Sequence, residues 1–93
     1  PTSAIVAFLS ESGLTKLCTG DRAYWMDPTL NDLEARLDPA HFFRISRGAI
    51  IRLDDVKEVL PMPGGSGEVV LKSNRRHEVS RRRFKDLLDT LAT

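Results

Sequence analysis

Among its 93 residues this chain has one cysteine, Cys18, and two histidines, His41 and His77. A lone cysteine excludes an internal disulfide and a multi-cysteine metal site. Cys18 sits in an alternating apolar run, where a free thiol behaves as a small core residue, and no neighbouring base is present to activate it. The lack of cysteine pairs fits a reducing compartment. The histidines are equally isolated. His77 precedes Glu78 in a strand-like run, which sends the two side chains to opposite faces, and His41 follows a Pro-Ala turn. No nucleophile, base and orienting group come together in the sequence, so neither catalysis nor a metal or organic cofactor is expected. No apolar run approaches the roughly 18 residues that cross a bilayer, and the first residues lack the charged-then-apolar form of a signal peptide. A cytoplasmic protein with no membrane partner is the expectation.

What remains is a small globular composition, 41% hydrophobic and 29% charged, enough for one modest core and too little for two. The net charge of +1 hides an asymmetry. Residues 1–43 carry three Lys or Arg against six Asp or Glu, net −3, and residues 44–93 carry eleven against seven, net +4. Concentrated basic charge in one half is a weak footprint of a polyanion partner, which a solvated charged face explains almost as well. The chain starts at Pro1, without methionine and almost inside an apolar run, and is expected to be a piece cut from a longer protein.

The periodicity is mainly that of strands. Ala4–Leu9 is a continuous apolar run closed by the turn signal Ser10-Glu11-Ser12-Gly13, and Leu14–Thr19 and Arg22–Asp27 read as a hairpin around Thr19-Gly20-Asp21. Tyr24 and Trp25 fall on opposite faces, so at most one is core. The period then changes. Leu30, Leu33 and Leu37 share a helical face, Thr29 can cap it with Asp32 in a capping-box position, and Asp38-Pro39 ends it. Asp32 and Glu34, exposed on this short helix, would repel a phosphate backbone, so the helix is read as structural. Phe42–Ile45 and Ala49–Leu53 read as strands around the break Ser46-Arg47-Gly48. Val56–Leu60 leads into the loop Pro61–Gly67, which lacks the Lys-Ser or Lys-Thr pair and the following helix of a phosphate-binding loop. Glu68–Lys72 and His77–Val79 form a last hairpin, after which Ser80 is expected to cap a helix with Phe84, Leu87, Leu88 and Leu91 as its core stripe. A mainly β fold follows, of small antiparallel sheets with a short helix in the middle and a C-terminal helix.

Two places carry chemistry. Arg81, Arg82 and Arg83 fill the first turn of the last helix, where the backbone dipole disfavours cations by a few tenths of a kcal/mol each. A bound phosphate would reverse that sign, because free N–H groups and guanidinium groups would converge on one anion. The alternative is that the arginines splay into solvent or pair with Asp86 and Asp89. The Ser46-Arg47-Gly48 break can project Arg47 towards the O6 and N7 of a guanine, with Ser46 reaching a phosphate or base edge and Gly48 allowing close approach. Arg44 and Arg52 alternate with core positions and either flank this loop or, as is commoner for an arginine at a strand end, are solvated edge residues.

These motifs, in this order, resemble the LytTR DNA-binding domain, the output module of many bacterial response regulators. The family pattern of Phe-x-Arg-x, His-Arg-Ser, an apolar stretch ending in Asn, and a later Val-Ser-Arg has counterparts here. They are Phe42-Phe43-Arg44-Ile45, Ser46-Arg47-Gly48, Ala49-Ile50-Ile51-Arg52 and Val79-Ser80-Arg81-Arg82, and Thr29-Leu30-Asn31-Asp32-Leu33-Glu34 resembles the family's helix. The resemblance runs from Ile5 onward. It implies a mostly antiparallel fold that reads double-stranded DNA through loops, with contacts from Ser12 and Gly13, from Ser46 and Arg47, and from Arg81 and Arg82, joined by Arg83. It further implies two copies side by side as a homodimer on repeated promoter sites, and an N-terminal receiver or other sensor domain. Ser46, Gly48 and Arg52 depart from the family's His, Ser and Asn, which implies an altered base preference with the role of Arg47 kept. The family's usual strand ahead of Ala4 is missing from residues 1–93, so it was either truncated or replaced at the sheet edge, and an unpaired edge there would favour association between chains. The competing class is a protein-interaction or ligand-sensing β module, with the Trp25 face and the Gly65 loop as its contact surface.

Overall fold

A computed structural model of the chain describes residues 4–92. Eight strands and two helices follow one another as β1 (Ile5–Glu11), β2 (Leu14–Thr19), β3 (Ala23–Met26), α1 (Leu30–Arg36), β4 (Phe42–Ser46), β5 (Ala49–Arg52), β6 (Val56–Pro61), β7 (Gly67–Leu71), β8 (Arg76–Val79) and α2 (Arg81–Leu91). The mainly β, two-helix architecture read from the sequence is the one observed. A five-stranded antiparallel sheet has the order β3-β2-β1-β5-β4, and a three-stranded one has the order β6-β7-β8. Because β1 pairs with both β2 and β5, it is central, and no unpaired edge lies beside it. The edges of that sheet are β3 and β4.

Alternation along the central strands builds the layers. Phe8 pairs with Ile50 and Ala7 with Ile51, so adjacent residues feed opposite faces. Phe8 and Ile50 pack with Leu30 and Leu33 of α1. Ala7, Ile45 and Ile51 pack on the other side with Val69, Leu71 and Val79 of the small sheet and Leu87 of α2. Helix α1 is held by the expected capping box, in which the Thr29 hydroxyl accepts from Asp32 N–H and the Asp32 carboxylate accepts from Thr29 N–H. Cys18 is buried, and burial pushes its thiol above its ordinary value, favouring the protonated form.

Two expectations are revised. Leu87 is fully buried, but Leu88 and Leu91 are exposed, because only the Phe84–Leu87 side of α2 meets the sheets. Ser80 holds the N-cap position of α2 without a side-chain capping bond; its backbone N–H donates instead to the Ile45 carbonyl at 2.9 Å, tying the start of α2 to β4. Tyr24 and Trp25 are both exposed on edge strand β3, with Lys16 5.3 Å from the Trp25 ring centre.

Candidate nucleic-acid interface

The same end of the large sheet carries two tight turns. Ser12 and Gly13 join β1 to β2 with φ of +53° and +80°, the pair of positive values that a type I′ turn demands and that glycine adopts without strain. Arg47 and Gly48 join β4 to β5, with Ser46 paired to Ala49 and a register shift just before it. Because β1 and β5 are neighbours, the turns lie side by side, and Ser10 N–H donates to the Gly48 carbonyl at 2.9 Å. The Ser46 hydroxyl accepts from Gly48 N–H at 3.2 Å, which leaves its own proton free to donate. Gly48 has an ordinary φ and open space where a Cβ would stand, so the chain conformation does not require glycine there.

Arg44 holds this turn in shape. Its Nε donates to the Ser46 carbonyl at 2.7 Å and one Nη to the Arg47 carbonyl at 2.7 Å, while the other Nη donates to Asn31 Oδ1 at 2.9 Å and Glu34 Oε1 at 3.0 Å. With only 10% of its side chain exposed, Arg44 is a fixed brace rather than a free cation. It points to the α1 face because it lies opposite Ile50, one of the residues packed against α1. The guanidinium fork suits this role, since five donors in one plane can serve two carbonyls and a helix at once. The Arg47 side chain, by contrast, is exposed.

The first turn of α2 reaches the same place, because the bond from Ser80 to Ile45 sets it beside the end of β4. A cleft of about 490 Å³ is lined by Asn31, Glu34, Arg44, Ser46, Arg47, Ser80, Arg82 and Arg83. A second cleft adjoins it, sharing Asn31, Arg44 and Arg47 and adding Ser10, Gly13, Thr15 and Asp27 among its walls. The structure therefore brings together Gly13, Ser46, Arg47, Arg82 and Arg83 from three separate parts of the sequence. Ser12 lies in the turn but lines neither cleft. Arg81 also lines neither; its aliphatic stem lies against Gly65 of the β6–β7 loop. Arg52 is at the open end of the β4–β5 hairpin, opposite Phe42, where its Nε donates to the Ile5 carbonyl at 2.6 Å. It does not flank the Arg47 turn.

Glu34 corrects the reading of α1 as merely structural. Its two oxygens are divided between Arg44 at 3.0 Å and Arg83 Nη1 at 3.6 Å, so this carboxylate stands within the cleft. Arg83 thus pairs with α1 rather than with its own helix. Asn31 and Glu34 were missed as candidate site residues in the sequence, and Arg44 was read only as a flank of the loop or a solvated edge residue. The available signal was the i, i+3 spacing of Asn31 and Glu34 on one exposed helix face, facing an arginine embedded in an apolar strand.

Four arginines converge on one open cleft with a single carboxylate among its lining residues, at a helix start whose first N–H groups have no i−4 carbonyl. Such a surface suits an extended polyanion, and comparison with known proteins agrees. The family model of the LytTr DNA-binding domain matches residues 1–92. The chain belongs to the LytTR family. The transcriptional regulatory protein LytR of Staphylococcus aureus (strain MW2) is 33% identical to this LytTR domain over 82 residues, 88% of the chain and 33% of that protein. The sensory transduction protein LytT of Bacillus subtilis (strain 168) is 27% identical over 86 residues, 92% of the chain and 36% of that protein. The LytTR domain thus spans about a third of the length of these relatives. A solved LytTr DNA-binding domain from Bacillus cereus superposes over 100% of this chain and 85% of its own with a TM-score of 0.92 at 17% identity, which shows the shared fold. The family is one of DNA-binding regulator domains, not of enzymes.

Proposed function

We propose that this LytTR domain binds duplex DNA sequence-specifically and acts as the output domain of a bacterial two-component response regulator, in the cytoplasm. The convergence of the Arg47 turn and the start of α2 on one cleft carries the proposal. In it, Arg82 and Arg83 hold phosphates and fix register, with Arg81 and Ser12 taking backbone contacts at the margins and Gly13 letting the backbone come close. Arg47, on a turn fixed by Arg44, reads the O6 and N7 of a guanine, and Ser46 donates to a neighbouring edge. The regulator's N-terminal partner domain is a receiver or sensor domain. Two copies occupy a repeated site whose halves are spaced by about 10–10.5 bp or its multiples, so that both face one side of the duplex.

Selection from a pool of random duplexes at two salt concentrations tests this. A repeated motif with whole-turn spacing should emerge, with affinity falling steeply as salt rises. Salt-sensitive retention without any enriched motif would contradict sequence reading. No retention even at low salt would favour the interaction module, with the Trp25 face, where Trp25 is exposed, and the Gly65 loop as its contact surface.

A further inference from the structure

We propose that Glu34 sets the discrimination of this interface, by clamping Arg44 against the reading turn while holding Arg83 back from phosphates. The inference rests on the DNA-binding reading of the cleft. It starts from the unequal state of the two arginines that share the carboxylate. Arg44 is 10% exposed and has four acceptors, so it stays in place. Arg83 is 40% exposed and reaches Glu34 at 3.6 Å, a loose pair that solvent screens. A guanidinium binds carboxylate and phosphate in the same forked geometry. Glu34, the single acid among the residues lining the arginine cleft, therefore occupies the place of a phosphate for Arg83.

The two roles act on different complexes. On a duplex held through phosphates alone Arg83 stays with Glu34, because leaving it would set the backbone beside a carboxylate of its own charge, and only the added contacts of a cognate duplex draw Arg83 to a phosphate. This opposes binding through phosphates alone, the sequence-independent part of affinity. Only a cognate duplex uses the bidentate contact of Arg47, which needs a fixed turn. That turn is fixed through the Arg44 bonds to the Ser46 and Arg47 carbonyls, and Arg44 is itself held from α1 by Glu34 and Asn31. Once Arg83 has moved to a phosphate, Glu34 is left wholly to Arg44. Removing its charge should therefore help the unspecific complex and loosen the specific one.

The test compares the wild-type chain with Glu34→Gln on the selected duplex and on a scrambled duplex, each titrated over a range of salt concentrations. Glu34→Gln should bind the scrambled duplex several-fold more tightly, with a salt slope steeper by about 0.9, the increment for one more phosphate neutralised. Its affinity for the selected duplex should not rise in proportion, so the ratio of the two affinities falls several-fold. In an Arg83→Gln background, Glu34→Gln should no longer steepen the slope. Proportional weakening on both duplexes would reduce Glu34 to a structural residue and overturn the proposal, as would proportional tightening, no change, or a slope increase that survives Arg83→Gln. If the wild-type chain bound neither duplex, the DNA-binding reading would fail instead of this inference.

Discussion

Single side chains decide two features of this domain, and only one of them touches the cleft. Arg44 joins the Arg47 turn to α1 through bonds of 2.7–3.0 Å. From the sequence it was an arginine either flanking the loop or solvated at a strand edge, because its partners are set by the packing of α1 on the sheet and not by neighbours along the strand. Arg47, Arg82 and Arg83 were legible, since exposed arginines in a tight turn and at a helix start are locally unusual. Gly67 is the second case. A Cβ there would stand 2.1 Å from Cε1 of Phe84, so α2 seats its aromatic ring directly on the β7 backbone. Gly67→Ala must displace the ring or the helix, and overpacking of this kind costs about 1–3 kcal/mol. The urea midpoint should fall with the slope unchanged. A midpoint equal to wild type would mean that α2 is not anchored at this strand.

At the scale of elements, strands and helices were read nearly as they stand, because alternation, capping and turn residues are local signals. Leu14–Thr19 was read with its observed ends, and the Thr29–Asp32 capping box formed as expected. The apolar stripe of α2 misled: its spacing defines a face, but how much of that face is covered depends on where the sheets end. Strand β8 carries a titration that the isolated pattern did not show. His77 pairs with Val69 and shares its face with buried Val79. Burial, and after it the positive charge of Arg75, holds the imidazole below its ordinary value of 6.5. As pH falls, the unfolded chain takes up this proton first. The contribution of neutral His77 to stability is complete above that ordinary value and is lost as pH falls from it through the folded-state value. The thermal midpoint of the wild type should therefore drop as pH falls through the window that opens at the ordinary imidazole value and extends below it. His77→Gln should lose less stability across that window. Identical profiles for the two chains would contradict the assignment.

At the scale of the molecule, the fold collects three distant pieces of sequence at one end. Antiparallel pairing of β1 with β5 aligns the Ser12-Gly13 and Arg47-Gly48 turns, and the bond from Ser80 to Ile45 brings the start of α2 beside them. The order of motifs announced the family, but not how the pieces share one surface. That two clefts meet at Arg44 and Arg47, and that Glu34 stands inside one of them, follows from long-range packing no local pattern encodes. The central claim divides this surface between base reading by Arg47 and phosphate anchoring by Arg82 and Arg83. Affinities of Arg47→Ala and Arg82→Ala for the selected duplex and a scrambled one, measured as functions of salt, test that division most directly. Arg47→Ala should lose about 1–3 kcal/mol on the selected duplex and little on the scrambled one. Arg82→Ala should weaken both alike and lower the salt slope by about 1. Equal losses on both duplexes for Arg47→Ala would make Arg47 one more phosphate contact and contradict the division.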